Sequence, residues 1–282
     1  MTIIANKTVL LTGASRGLGV HIAHALAKEQ ATIIGISRSK TGLNKTRDEV
    51  KSLGGKFIGF TFDITNVEQL SVLIQHINNT VSPVDILINN TGVEIYQSFA
   101  NYSLKDLQSV LTTNLLAAME LTRLLLPTML ERNSGHIVNI SSLAGKKGVP
   151  YNSIYSASKA GLIMWTDSLR QELASTGINF SAICPGYISE TGMTVDSGLP
   201  IPTLAGTSKP EEVAKAVIKA IQKNKAEVII NESAIAEFLT KVMFGIGQVA
   251  PQFVDAVYRW IAVARLNQMR AENFAKNQYN RA

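Results

Sequence analysis

The stretch Thr8-Val9-Leu10-Leu11-Thr12-Gly13-Ala14-Ser15-Arg16-Gly17-Leu18-Gly19 decides how the rest of this chain is read. Thr8–Leu11 is a short apolar run of strand character, and from Leu18 to Lys28 the apolar residues take up helical spacing. The loop from Gly13 through Ser15, Arg16 and Gly17 to Leu18 and Gly19 is therefore a strand-to-helix turn. Glycine there permits a tight bend and lets a diphosphate approach the backbone. The helix N-terminus behind it offers unpaired N–H groups and a positive dipole end to the anion. Taken alone, such a turn also serves as a plain connection, so its surroundings decide.

The next strand-like run, Thr32–Ile36, leads into Ser37-Arg38. A dinucleotide fold places at this point the group that reads the adenosine ribose. An acidic side chain there would accept from a free 2′-hydroxyl and repel a 2′-phosphate. Here Ser37 and Arg38 stand in its place, with Arg16 in the first loop and Lys40 nearby. A guanidinium grips phosphate through two parallel hydrogen bonds, which favours NADP (NADPH) over NAD. The plain alternative is an Arg38 that caps a strand in solvent.

Charge points the same way. Of a net +6, residues 1–60 hold nine Lys and Arg against three Asp and Glu, and the remainder balances. A phosphate-rich small molecule near the N-terminus explains the excess, with solvated helix faces around Lys45–Lys51 contributing. No nucleic-acid-reading motif accompanies it.

Working outward, 282 residues with 46% hydrophobic and 17% charged side chains can bury a sizeable core. Strand candidates are Thr8–Leu11, Thr32–Ile36, Phe57–Phe62, Ile86–Ile88, His136–Ile140, Asn179–Ile183 and Glu227–Ile230. They alternate with helical stretches such as Leu18–Lys28, Val67–Ile77, Lys105–Leu130, Ile154–Ser175 and Glu211–Gln222. This alternation predicts an α/β fold, a single doubly wound Rossmann-type parallel sheet of about seven strands flanked by helices. It occupies residues 1–230, followed by a helical C-terminal extension over 231–282.

Gly186–Ser208 reads as a long surface loop of the kind that forms functional lids. Its apolar residues Leu199, Ile201, Pro202 and Leu204 lean toward a hydrophobic substrate. The extension, with Phe238, Val242, Phe244, Ile246, Val257, Trp260, Ile261, Val263 and Leu266, has three readings. It covers the substrate cleft, it packs on the domain's own edge, or it forms a membrane-surface or partner helix through Phe244, Trp260, Arg259, Arg265 and Arg270.

A single cysteine, Cys184, excludes an internal disulfide and fits a reducing compartment. With no signal peptide and no transmembrane stretch of roughly 18 uninterrupted apolar residues, the expected location is cytoplasmic. The four histidines lack metal-ligand spacing, so no metal site is expected. No G-x-S-x-G elbow speaks for a hydrolase.

Further landmarks follow in order: Asp63-Ile64, Asn89-Asn90-Thr91-Gly92, Asn114, Ser141-Ser142, Tyr155-x-x-x-Lys159 and Pro185-Gly186. Together with the T-G-x-x-x-G-x-G spacing from Thr12 to Gly19, the sequence resembles the short-chain dehydrogenase/reductase family over roughly Lys7 to Ile230. The resemblance implies that Asp63 and Ile64 contact adenine and that Asn90 and Gly92 lie along the cofactor's ribose. Pro185, Gly186 and Ile188 border the nicotinamide, and Lys159 binds its ribose. Asn114 orients Lys159 through a water-mediated relay. Family members also pair through the two long helices after the fourth and fifth strands, and Leu115, Met119, Leu162 and Met164 permit such a homo-oligomer. The chain departs from the pattern at Thr91, where alanine is usual, and at Thr191, one residue later than the family's threonine.

Tyr155 and Lys159 lie four apart on one helical face. An ammonium about 4 Å from a phenol would favour phenolate by roughly 4 kcal/mol at an effective dielectric near 20, or about three pKa units. Ser142 or its neighbour Ser141, beyond a strand's carboxyl end, would hydrogen-bond the substrate oxygen; the family's spacing to Tyr155 favours Ser142. The expected chemistry is hydride transfer between NADPH and a carbonyl or alcohol, with Tyr155 as general acid/base. The rival reading is a non-catalytic NADPH-binding sensor on the same fold.

Overall fold

The computed structural model describes residues 2–196, 201, 207–260 and 263–279. Its frame comes from short runs of β-branched and aliphatic residues, buried on both faces in the central strands and largely exposed in the edge strand Lys56–Thr61. β1 (Thr8–Thr12), β2 (Thr32–Ser37) and β3 (Lys56–Thr61) form one half of the sheet, and β4 (Ile86–Asn89), β5 (Gly135–Ile140) and β6 (Ile178–Pro185) the other. The connecting helices are α1 (Leu18–Lys28), α2 (Lys40–Ser52), α3 (Leu70–Thr80), α4 (Leu104–Leu111), α5 (Ala117–Glu131) and α6 (Ser153–Glu172).

Beyond β6 come β7 (Tyr187–Ile188), α7 (Met193–Asp196), β8 (Thr207–Ser208), α8 (Pro210–Lys223) and β9 (Glu227–Ile230). The chain then continues through α9 (Ala234–Val249), α10 (Pro251–Trp260) and α11 (Val263–Tyr279). The seven-stranded parallel sheet runs β3-β2-β1-β4-β5-β6-β9. Chain order reverses between β1 and β4, and the crevice at the carboxyl ends there is where such sheets take ligands.

Two apolar layers hold the sheet. On one face Ile22 and Leu26 of α1, Leu43 and Val50 of α2, and Val217 and Ile221 of α8 pack on Val9, Leu11 and Ile33. On the other, Leu70 and Ile77 of α3 and Leu121 and Leu125 of α5 pack on Leu10, Ile34 and Phe180. Each fully buried aliphatic side chain contributes about 1.5–3 kcal/mol.

The expected elements are present with boundaries shifted by up to three residues, and four differences are informative. Lys45–Lys51 belongs to a full helix, α2, started by the Ser39 hydroxyl accepting from Gly42 N–H at 3.1 Å. The long stretch 105–130 is α4 and α5 joined by a π-helical turn, Thr112–Leu116, centred on Asn114. The 186–208 segment is not a plain loop, because β7 and β8 pair within it and α7 lies between them; Leu199, Pro202 and Leu204 fall outside the described residues, as does Ile261. Leu162, expected at a subunit interface, is 1% exposed in the single chain, whereas Met164 is 64% exposed.

The helical run Leu104–Glu131 is long and apolar enough to cross a bilayer, but 44% of its apolar window is buried inside this fold. The extension folds back onto the domain. Phe244 of α9 packs with Ile163, Cys184 and Ile229, and Val254 and Val263 are also buried. Of the residues behind the membrane-surface or partner-helix reading, Arg270 is inside at 3% exposed and Phe244 at 7%, while Arg259, Arg265 and Trp260 face outward.

Candidate active site

A cleft of about 910 Å³ runs across the carboxyl ends of the strands. Gly13, Ser15, Arg16, Gly17, Leu18, Gly19, Ser37, Arg38, Asp63, Ile64, Asn90, Gly92, Ser142, Tyr155, Lys159, Pro185, Gly186 and Ile188 all line it. Asn114 stands behind the wall, 1% exposed.

At one end the glycine loop is packed against its own backbone. A Cβ on Gly19 would lie 2.0 Å from the Gly13 carbonyl oxygen, so no larger residue fits without moving main chain. Thr12 Oγ1 accepts from the backbone N–H of Asn90 at 2.9 Å and of Thr91 at 3.0 Å. The Asn90 amide donates to the Thr12 carbonyl at 2.9 Å. Asn90 thus braces the loop, a task the resemblance did not assign to it.

Ser15 and Ser37 share a 2.6 Å hydrogen bond that ties the loop to the end of β2. Arg38 lies exposed, 3.9 Å from Asp63, whose other oxygen accepts from Thr65. Arg16 pairs with Asp196 of α7 at 2.7 Å across the cleft mouth. Thr191 lies beside Gly17, in reach of the loop despite its later position in the sequence.

Midway along the cleft, the end of β5 and the start of α6 meet. Of the two candidate serines, Ser142 lines the cleft with Tyr155 and its hydroxyl accepts from Ala144 N–H at 3.1 Å, while Ser141 donates to the Lys159 carbonyl at 2.8 Å and ties α6 down. The Lys159 ammonium lies 5.6 Å from the Tyr155 ring centroid and donates to the Ile140 carbonyl at 2.8 Å. Gly92 lies alongside, where a Cβ would be in ordinary contact with Lys159 Nζ at 3.4 Å and with Asn114 Oδ1 at 3.6 Å.

Asn114 accepts from Val93 N–H at 2.8 Å and donates to the Val93 carbonyl at 2.9 Å and Ser158 at 3.0 Å. Its side chain therefore locks the segment after β4 to α6 at the π-helical turn, a feature frequent at functional sites.

Electrostatics correct one expectation. Burial, and then the Glu94 carboxylate, push the Tyr155 phenol above its ordinary 10, with the Ser142 hydroxyl pulling the other way. Lys159 does not bring it down. Burial lowers Lys159 itself to about 8, because the ammonium loses its hydration.

The other end of the cleft holds a polar group that the sequence did not announce. Glu94 follows the Asn-Asn-Thr-Gly turn and accepts from the Asn152 amide at 3.1 Å; burial raises its pKa, and Asn152, Arg270 and Tyr96 oppose the rise. Arg270 of α11 stacks on the Tyr96 ring at 5.6 Å and on the Tyr187 ring at 5.3 Å, and donates to Asn267 at 2.7 Å. Burial raises the Tyr187 pKa, and the neighbouring Arg270 guanidinium opposes the rise. Apolar tail residues, among them Leu239, Phe244, Val257 and Val263, close this end. Residues of α9–α11 thus line the cleft, and Phe244 packs with Ile163, Cys184 and Ile229. No group of three or more potential metal ligands occurs among the described residues.

Known proteins place this geometry. The model for short chain dehydrogenase matches residues 7–199. "Ketoacyl reductase HetN" of Nostoc sp. is 61% identical over 279 residues, 99% of this chain and 97% of that protein, so the likeness takes in the C-terminal helices. Among solved structures, an actinorhodin polyketide ketoreductase variant with NADPH superposes with a TM-score of 0.74 at 30% identity, covering 82% of this chain and 98% of the other. A metagenomic short-chain oxidoreductase in complex with NADP gives 0.71 at 26% identity, covering 82% and 100%.

Proposed function

The chain belongs to the short-chain dehydrogenase family, and on that premise we propose that it is an NADP(H)-dependent oxidoreductase acting on a hydrophobic carbonyl or alcohol of the ketoacyl type. The observation that carries this reading is the convergence of Ser142, Tyr155 and Lys159 on one wall of a cleft that opens on the glycine loop, with the Lys159 ammonium 5.6 Å from the Tyr155 ring centroid.

Bound NADPH supplies the hydride that becomes the new C–H bond. Tyr155 gives its phenolic proton to the carbonyl oxygen as that oxygen gains charge, and Ser142 steadies the same oxygen with its hydroxyl. A phenol held above 10 is protonated at neutral pH, the form that reduction requires. Lys159 supplies positive charge beside the phenolate left behind, and Asn114 fixes the segment on which the ammonium rests.

Arg38 and Arg16 beside Ser37, with no acid at that strand end, support a 2′-phosphate and hence NADP. The solved neighbours named with NADP and NADPH support the same choice. The ketoacyl class is supported by the name of the 61% identical relative and by the apolar closure of the cleft. The reading includes a homo-oligomer paired along α4–α6, where Leu111, Leu116 and Met164 are exposed.

The test is oxidation of NADPH and of NADH in the presence of β-ketoacyl thioesters, simple ketones and aldehydes. The expected result is turnover with NADPH, strongest on a ketoacyl thioester. NADPH binding without turnover on any carbonyl or alcohol would favour the sensor.

A further inference from the structure

A carboxylate and a guanidinium in an otherwise apolar enclosure cost several kcal/mol to desolvate unless each is well partnered. Glu94 and Arg270 are 176 residues apart, and both come to the substrate end of the cleft. Tyr96 joins them in the same wall, its ring under the Arg270 guanidinium at 5.6 Å and its hydroxyl helping to hold the Glu94 pKa down. Glu94 also holds the amide of Asn152, which stands at the N-cap position of α6, two positions before Ile154 and three before Tyr155, with its side chain turned to Glu94 instead of to the helix N–H groups.

We propose that Arg270, Tyr96 and Glu94 form a relay that makes α11 a positioning element of the proton-transfer centre, setting where and how strongly the Glu94 carboxylate acts on Tyr155. The proposal rests on the reductase reading above.

The groups facing Glu94 are Asn152, Tyr155 and Lys159 of the α6 region, Tyr96 and Tyr102 of its own segment, Tyr187 of β7 and Arg270 of α11. Burial raises the Glu94 pKa, and Asn152, Arg270, Tyr96 and Lys159 oppose that rise. The carboxylate in turn raises both Tyr155 and Lys159. Removing its charge therefore moves both groups toward easier deprotonation, and reduction should fail at lower pH. Removing Arg270 leaves Glu94 readier to take up a proton, which acts in the same direction.

The experiment is the pH profile of NADPH-dependent carbonyl reduction by the full chain, for wild type, Glu94→Gln, Arg270→Met, Arg270→Lys and the Glu94→Gln/Arg270→Met double variant. The alkaline limb should move down by about one pH unit in Glu94→Gln. It should move the same way by less in Arg270→Met, recover in part with Arg270→Lys, and move no further in the double variant than in Glu94→Gln alone. An unmoved limb in Glu94→Gln, or shifts that simply add, would overturn the proposal.

A second readout needs no turnover. Hydrogen exchange of the 263–275 peptide should speed up in Glu94→Gln as well as in Arg270→Met. Faster exchange in the Arg270 variant alone would also overturn the relay. If wild type reduces no carbonyl, the reductase reading fails, and the exchange data still decide whether α11 is coupled to Glu94.

Discussion

The two ends of the cleft are built on opposite principles. At the glycine-loop end, function resides in backbone: Gly19 against the Gly13 carbonyl, Thr12 gathering two N–H groups, and Asn90 bracing the turn. The partners lie at the ends of adjoining strands, and the fold brings them together as soon as the sheet forms. At the Tyr96 end, function resides in side chains from three distant places, the segment after β4, β7 and α11, which meet only when the C-terminal helices have docked. One end is specified locally and tolerates almost no added atoms. The other is specified by tertiary contact and leaves room to vary the substrate.

That contrast can be broken most severely at Gly19. In Gly19→Ala the new methyl meets main chain that cannot step aside, at a cost of more than about 3 kcal/mol. NADPH affinity by fluorescence titration should fall about 100-fold or more while α11 stays protected from protease. Unchanged affinity would show that the loop is not the tight cradle described.

Phe244→Ala probes the other end with a smaller effect. Removing a 7% exposed ring from the Ile163, Cys184 and Ile229 cluster should cost about 3 kcal/mol of tail docking. Here proteolysis of α9–α11 should accelerate and KM for the carbonyl should rise, with NADPH affinity kept. Loss of cofactor binding in this variant would mean that the two ends are not separable.

What could be read from the sequence follows the same division. Strand and helix order, the glycine turn, Ser37-Arg38 and the Ser142, Tyr155, Lys159 set are legible because each depends on near neighbours or on a short motif. The π-helical turn at Asn114 was only half visible, as a mediocre helix former inside a helical stretch.

Glu94 and Arg270 were not legible. A lone glutamate after a turn and an arginine on an amphipathic tail look like solvated charges until Tyr96 and Tyr187 are placed between them. The Tyr155 pKa was misjudged because pair spacing gives an attraction to Lys159 but says nothing of burial or of Glu94.

The central claim is that Tyr155 transfers the proton while the glycine-loop end holds NADPH independently. It is tested by single-turnover NADPH oxidation with a ketoacyl thioester in wild type and Tyr155→Phe, each with its NADPH affinity measured. The account predicts a loss of about a hundredfold to ten-thousandfold in rate with affinity for NADPH unchanged. A Tyr155→Phe enzyme that turns over at the wild-type rate would contradict it.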